Sequence, residues 1–411
     1  MPQPSRSPTI YFMNEAPRTV TIVGGGIAAL EAMIALRSVA QERAAIELIT
    51  PGSHWTHRPM AVAEPFGLGR AERYDLVRMA HDHGASLHLA GVQAVDTGMR
   101  RLMTWDGREL DYDVLLLAIG ARPVVSIPGS VTIKGPGYTS RFRTVLRRLA
   151  EHKVRRVTFA VPAGTSWPLP LYELALMTAG RVADLELHRV EISLVTPESA
   201  PLELFGKPAS DAVSELLEER GIAVHTSRYP AEVRDGELVM VPGDPIPTDH
   251  VVSLPRLVGP GIAGLPADGD GFIPVDLHGL VEGEIDVYAA GDATTCPIKQ
   301  GGVACQQADA AVDAIAASLG ADVEPAAFRP VLRGMLLTGD RPRYLRAEIT
   351  GGRGERSEAS DQALWWPPNK VAGRWLAPYL ALHHAELDAR PDGLSVDVPV
   401  AGPTIRPRVP I

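Results

Sequence analysis

Val23-Gly24-Gly25-Gly26-Ile27-Ala28-Ala29 places small residues in the spacing GxGxxA, directly after the apolar run Val20 to Val23 and ahead of a helical stretch, Ala28 to Val39. Gly24 permits a tight turn, Gly26 lets backbone approach a pyrophosphate, and Ala29 lets helix and strand pack closely, with the helix N-terminus facing the anion. A glycine match alone also fits an ordinary tight turn, but here the strand before it and the helix after it point to dinucleotide binding. A second stretch with chemical content is Ile285-Asp286-Val287-Tyr288-Ala289-Ala290-Gly291-Asp292-Ala293. Asp292 at a strand end can accept hydrogen bonds from sugar-like hydroxyls, and Gly291 lets backbone come close to a ligand. The alternative for Asp292 is a turn cap.

Downstream, Lys299-Gln300-Gly301-Gly302-Val303-Ala304 opens a helix. Its partial positive charge and free N–H groups suit the anionic edge of a reduced ring system, and Lys299 adds to that charge unless it is an exposed loop lysine. Cys305 is expected in the first turn of this helix, where a thiol's pKa falls, and Cys296 in the loop before it. The other fate open to both is a buried, inert thiol. At the end of the second strand the usual acidic ribose ligand is missing, because Ile46-Glu47-Leu48-Ile49 runs into Thr50. The Thr50 hydroxyl can make one such bond, whereas alternation sends Glu47 to the opposite face. Arg58, just before Pro59, is either a phosphate contact or a surface arginine.

Two of these segments resemble signatures of the two-dinucleotide-domain flavoproteins. Asp111 to Pro123 resembles their YDxLxxAxGxxP segment, and Ile285 to Ala293 resembles their second FAD signature, in which the aspartate binds the ribityl chain. From Arg18 onward the chain is similar to sulfide:quinone oxidoreductases, flavocytochrome c sulfide dehydrogenases and, more distantly, type II NADH dehydrogenases. The resemblance implies FAD as cofactor. The cofactor-binding residues it implies are Gly24, Gly26, Ile27, Ala28, Ala29, Thr50, Arg58, Val92, Ala118, Gly120, Gly291, Asp292, Lys299, Gln300, Gly301 and Val303, with Lys299, Cys305 and Cys296 as the catalytic candidates.

Where an NADH-using relative carries GxGxxG, this chain reads Val161-Pro162-Ala163-Gly164-Thr165-Ser166-Trp167-Pro168-Leu169-Pro170-Leu171-Tyr172-Glu173. Only Gly164 remains in that turn, and its prolines remove backbone donors that a pyrophosphate needs. A similar proline-rich turn occurs in the sulfide-oxidising branch, so NAD(P)H is expected to bind poorly or not at all. That branch relies on redox cysteines, one of them in the middle domain, and Val154 to Gly271 contains none. The usual cysteine trisulfide route is therefore not expected. The reading is an FAD-dependent oxidoreductase that passes electrons from an unidentified donor to a quinone or other small acceptor. The alternatives are an NADH:acceptor reductase and a non-catalytic flavin-binding redox sensor.

The elements that must position these residues follow an α/β pattern. Val20 to Val23, Ala28 to Val39 and Ile46 to Ile49 form one βαβ unit. A second alternating stretch has strands Val157 to Val161, Val190 to Val195 and Ile222 to His225, with a helix Pro208 to Arg220 stopped by Gly221. Ile285 to Asp292 and a helix from about Gly302 to Leu319 are expected to return to the first layer. The fold class is thus α/β, with two Rossmann-like dinucleotide-binding domains, the FAD domain discontinuous and the second nucleotide domain degenerate, plus a C-terminal interface domain. The expected divisions are a flexible leader over 1–17, FAD-binding segments 18–145 and 269–325, a middle domain 146–268 and a cap or interface domain 326–411.

Trp365, Trp366, Trp375 and Tyr379 crowd that last segment, where they shield the flavin, line a quinone channel, form a homodimer interface or make a small core. Lys370 to Leu387 contains Pro378 and lacks a basic polar face, so membrane contact is peripheral at most. A chain of 411 residues buries its cores without covalent staples. Two cysteines are too few for a disulfide framework and suit a reducing, cytoplasmic compartment. No run of eighteen apolar residues occurs, and the net charge of -9 argues against nucleic acid as a partner. Arg141, Arg143, Arg147 and Arg148 read as the solvated face of one helix. His81, His83 and His88 lie close together without a second ligand cluster, so no metal is expected. His54, Trp55 and His57 are either part of the cofactor pocket or a plain loop.

Overall fold

The computed structural model describes residues 17–135, 139–350 and 353–382. The glycine turn is built as its spacing requires: strand β1 (Arg18–Val23) enters it and helix α1 (Ile27–Ala40) leaves it, returning to strand β2 (Ala44–Thr50). Helix α2 (Leu76–Asp82) and strands β3 (Ala85–Leu89) and β4 (Val114–Leu117) follow. Every residue of β4 is buried, the pattern of a parallel strand covered on both faces.

A second layer begins with the short strand β5 (Val131–Thr132) and continues through helix α3 (Thr139–Ala150), β6 (Arg156–Ala160), α4 (Leu169–Asp184), β7 (Glu191–Val195), α5 (Lys207–Glu219), β8 (Ile222–His225) and β9 (His250–Ser253). Its strands lie in the order β5-β9-β6-β7-β8, with the paired strands parallel. Helix α3 buries Phe142, Val145 and Leu149 and exposes its four arginines, as their spacing requires.

The chain then returns. Strand β10 (Val287–Ala289) pairs with β4, completing a first sheet of order β10-β4-β1-β2-β3. Helix α6 (Gly301–Ser318) packs on α1, so that Leu30 and Met33 share one core with Ala308 and Ile315. Strand β10 is shorter than the apolar run suggests. Ile285 is 78% exposed, and Asp286 has φ +58° and accepts from Arg18 and Arg100 at 3.1 and 2.8 Å, so the extended strand begins only at Val287.

Three antiparallel strands, β11 (Val331–Leu336), β12 (Arg343–Thr350) and β13 (Arg353–Ser360), and a last helix α7 (Leu376–Leu382) complete the described chain. One face of this third sheet packs Leu332, Leu336, Leu345 and Ala347 into the second layer's core, while Leu376 and Leu380 of α7 enter the first layer's core. Pro378 is accommodated in the first turn of α7, where no intrahelical N–H is needed. The expected leader up to residue 16 and the part of the Lys370 to Leu387 stretch beyond residue 382 lie outside the described residues. Among the described residues no helix is long and apolar enough to cross a membrane.

Candidate functional site

The glycine turn is anchored by its backbone. Gly24 N–H donates to the Ile49 carbonyl and Ala118 N–H to that of Val23, each at 2.8 Å. A Cβ on Gly24 would sit 2.2 Å from the Ala118 oxygen, and its φ of +135° already excludes most side chains. A Cβ on Gly25 would lie 2.5 Å from the Thr50 hydroxyl, which is buried beneath the turn. Gly26 differs: nothing stands within 4 Å of an added Cβ, and no side chain caps α1. The helix start is an open cradle that a methyl group would begin to fill, and its size and free N–H groups fit a pyrophosphate.

The second motif lies directly on the first. A Cβ on Gly291 would meet Ala28 at 3.0 Å and Ala304 at 3.4 Å, and one on Gly301 would meet Ile27 at 2.9 Å. Next to this contact is Asp292, a half-buried carboxylate to which no described residue donates a hydrogen bond. Burial pushes its carboxyl up, against the pull of Lys299 and Arg58. An unmet acceptor in this position fits the hydroxyls of a sugar alcohol. Gly120, with φ +70°, also borders open space.

Several expected residues take other parts. Lys299 is buried rather than exposed: its ammonium donates to the Thr294 carbonyl and lies 3.9 Å from the centre of the Phe272 ring. Burial lowers its pKa, opposed by Asp292. Gln300 caps α6, accepting from Val303 N–H at 2.8 Å, while its amide donates to the Arg333 carbonyl at 3.2 Å. Val371 would touch a Cβ on Gly301 at 3.0 Å, so the start of α6 is less open than its glycines suggest, and Val303's own N–H is taken. Val92 packs in a core with Val23, Ile49 and Ala293, which leaves only its backbone for a ligand.

Cys305 is a correction. It is the fifth residue of α6, not part of the first turn, and is fully buried against α1 and Gly373. Burial pushes its thiol well up, and the carboxylates of Glu31 and Asp309 push the same way. Cys296 is half-buried, its Sγ 3.8 Å from the Ile298 carbonyl, and burial raises its thiol despite nearby Lys299. Both cysteines are free. The histidine triplet is not brought together as ligands: His88 stands 3.8 Å from Glu47, and His83 packs on Tyr379. Among the described residues no group of three metal-binding side chains occurs. Trp55 stacks on Tyr74 with ring centres 5.4 Å apart, as part of the first layer's core, and Trp365 packs edge-on against Tyr344.

Two functional candidates went unread in the sequence. Gln307 accepts from Gly291 N–H at 2.6 Å and fixes the second motif from within α6; its only signal is a polar side chain on a helix otherwise rich in alanine. Glu198, two residues beyond Thr196 at the end of β7, accepts from Tyr172 at 2.6 Å and Thr196 at 2.8 Å. Burial lifts its carboxyl to about 7 although both hydroxyls donate to it. Glu198 lines a cavity of about 1370 Å³ between the two layers, with Gly164, Ser166, Cys296, Gln307 and Phe328 around it. In the neighbouring turn Gly164 has φ +71°, and Thr165 turns both its N–H and its hydroxyl onto the Pro162 carbonyl. Pro168 precedes α4 and Pro170 stands in its first turn, so few backbone donors face the cavity there.

Two parallel Rossmann-like sheets, with a cavity between the layers that carry them, define the fold class of a nucleotide-binding α/β protein. Residues 18–314 match the family described as pyridine nucleotide-disulphide oxidoreductase, and the chain belongs to that family. Its fold is similar to that of the sulfide:quinone oxidoreductase from the bacterium Aquifex aeolicus, with TM-score 0.75 and 19% identity over 84% of this chain and 86% of that one. A ferredoxin reductase from Rhodopseudomonas palustris is similar at TM-score 0.61 and 20% identity, covering 81% and 83% of the two chains. NDH2 from Plasmodium falciparum in complex with NADH is similar at TM-score 0.53 and 15% identity, covering 67% and 64%.

Proposed function

We propose that the chain binds FAD across the Gly24 turn and Asp292 and oxidises a donor other than NAD(P)H, passing electrons to a quinone or another small acceptor. The observation that carries this reading is the seat of Gly291 on Ala28 beside an unmet Asp292 carboxylate. Bound FAD would supply two-electron redox chemistry at its ring. The N–H groups at the open start of α1 would receive the pyrophosphate, Thr50 a ribose hydroxyl and Asp292 the ribityl hydroxyls. Lys299, held on the Thr294 carbonyl, keeps a positive charge close to that aspartate. The segments 18–145 and 269–325 would form the FAD domain, with 146–268 as the middle domain.

The donor's place in this reading is the cavity between the layers. Its turn offers little to a pyrophosphate, and Glu198, at about 7, can hold or release a proton near neutral pH. The likeness to a sulfide:quinone oxidoreductase supports the acceptor class. Neither cysteine is set up as a thiolate, which argues against a cysteine-borne sulfur intermediate. The test is an anaerobic absorbance titration of the reconstituted protein. NADH and NADPH should leave the flavin band intact over minutes, and a reduced flavin made with dithionite should be reoxidised by a soluble quinone. Rapid bleaching by NADH would overturn the donor assignment.

A further inference from the structure

Arg333 lies on β11 with 5% of its surface exposed, and its register partner on β12 is Arg346. Residues opposite one another in an antiparallel pair leave the sheet from the same face, so the two arginine side chains stand together. The opposite face is filled: Leu332, Leu336, Leu345 and Ala347 pack into the core, and a Cβ on Gly334 would come within 2.6 Å of Phe205. On the arginine face, Tyr344 packs edge-on against Trp365, ring centres 5.2 Å apart.

The two arginines are not equally satisfied. Arg346 reaches Glu348 at 3.1 Å, and Glu348 also receives Arg356 at 3.1 Å. No described carboxylate forms an ion pair with Arg333, and no described acceptor takes a hydrogen bond from its guanidinium. Burial and the charge of Arg346 push its pKa down to about 10, and no acidic group acts in the other direction. A guanidinium carries five donors in a rigid fork, and on Arg333 no described acceptor takes any of them, while the like charge of Arg346 stands beside it.

We propose that Arg333, flanked by Arg346, is a binding site for an oxyanion, a carboxylate or phosphate group that takes the fork in two hydrogen bonds. The inference stands on the third sheet and uses none of the flavin assignments. It also has a route to the cofactor region. Gln300 holds the Arg333 main-chain carbonyl with its amide and caps α6 at Val303 with its oxygen, which ties the strand that carries the arginine to the start of that helix.

The experiment uses the full chain, with and without added FAD, and follows thermal midpoint and any flavin absorbance together, with inorganic phosphate or acetate titrated against chloride at constant ionic strength. Wild type should gain stability saturably with at least one of the two ions, which also tells phosphate from carboxylate. R333M should bind that ion at least tenfold more weakly while melting no lower than wild type in chloride, because an unmet buried charge has been removed. R333K should keep part of the response, separating charge from packing. Equal responses in wild type and R333M overturn the proposal, as does a wild type that responds to neither ion. A loss in R333M that tracks falling flavin content assigns the charge to the cofactor and overturns it too.

Discussion

The glycines of the first turn are not alike, and the difference is testable one methyl group at a time. G24A meets the Ala118 carbonyl in a backbone conformation that costs a non-glycine residue about 1–3 kcal/mol before the clash is counted, so it should unfold or lose stability heavily. G26A points its methyl into open space and should stay within about 1 kcal/mol of wild type. Its FAD affinity should nonetheless fall about tenfold or more, because the methyl group occupies the cradle. Urea midpoints and flavin fluorescence titration separate the two effects. D292N removes the charge from an acceptor that no described residue satisfies and should weaken FAD about 10- to 100-fold, the range expected for hydrogen bonds to a charged group.

Glu198 belongs to the same scale and gives a pH signature. Its folded pKa of about 7 lies above its ordinary value of 4.5, so the stability linked to its proton is full below about 4.5 and is lost as pH rises through 7. E198Q mimics the protonated carboxyl throughout. Relative to wild type it should therefore grow more stable between pH 5 and pH 8, by no more than about 3 kcal/mol. Parallel stability curves for the two proteins would refute the assignment. The glycines and Asp292 were legible in the sequence because their spacing carries the geometry. Glu198 and Arg333 were not, because a lone charged residue beyond a strand or within one reads as surface until its burial is seen.

Helix α6, packed on α1, is also tied to the third sheet by its glutamines. Gln306 bonds both the N–H and the carbonyl of Val331, each at 2.9 Å, and Gln300 bonds the Arg333 carbonyl, so the free edge of β11 is satisfied by side chains. A second tie joins α4 to the C-terminal segment. Lys370 donates to both Glu173 oxygens, at 2.5 and 2.6 Å, deep in the interior. Burial raises the Glu173 carboxyl and lowers the Lys370 ammonium, each against the attraction of the other. K370M, which strands the carboxylate, should cost about 3–5 kcal/mol. Adding E173Q should return at least about 1 kcal/mol, since glutamine can still accept from Leu337 N–H at 2.8 Å. Additive losses in this double-mutant cycle would show that the pair is not a unit. Helices α1, α5 and α6 were visible from periodicity and stop signals. The third sheet was not, because strands such as Arg343–Thr350 mix charged residues into both faces and hide the alternation.

At the scale of the whole molecule, the two α/β layers share a cleft, and the third sheet with α7 ties them together by entering both cores. The return of the chain to the first sheet was readable because the second motif needs a strand end to carry it. The depth of Cys305 was not readable. A position early in a helix suggests a reactive thiol, and only the structure shows Gly373 and Glu31 packed against the sulfur, where burial pushes the thiol up.

Whether the Gly24 turn and Asp292 together hold a flavin is decided by reconstitution of the purified, flavin-stripped chain with FAD, read by absorbance and by flavin content after gel filtration. The expected result is a yellow protein holding a single FAD per chain, with D292N and G26A folded but markedly poorer in flavin. A wild-type protein that remains colourless at saturating FAD would contradict it.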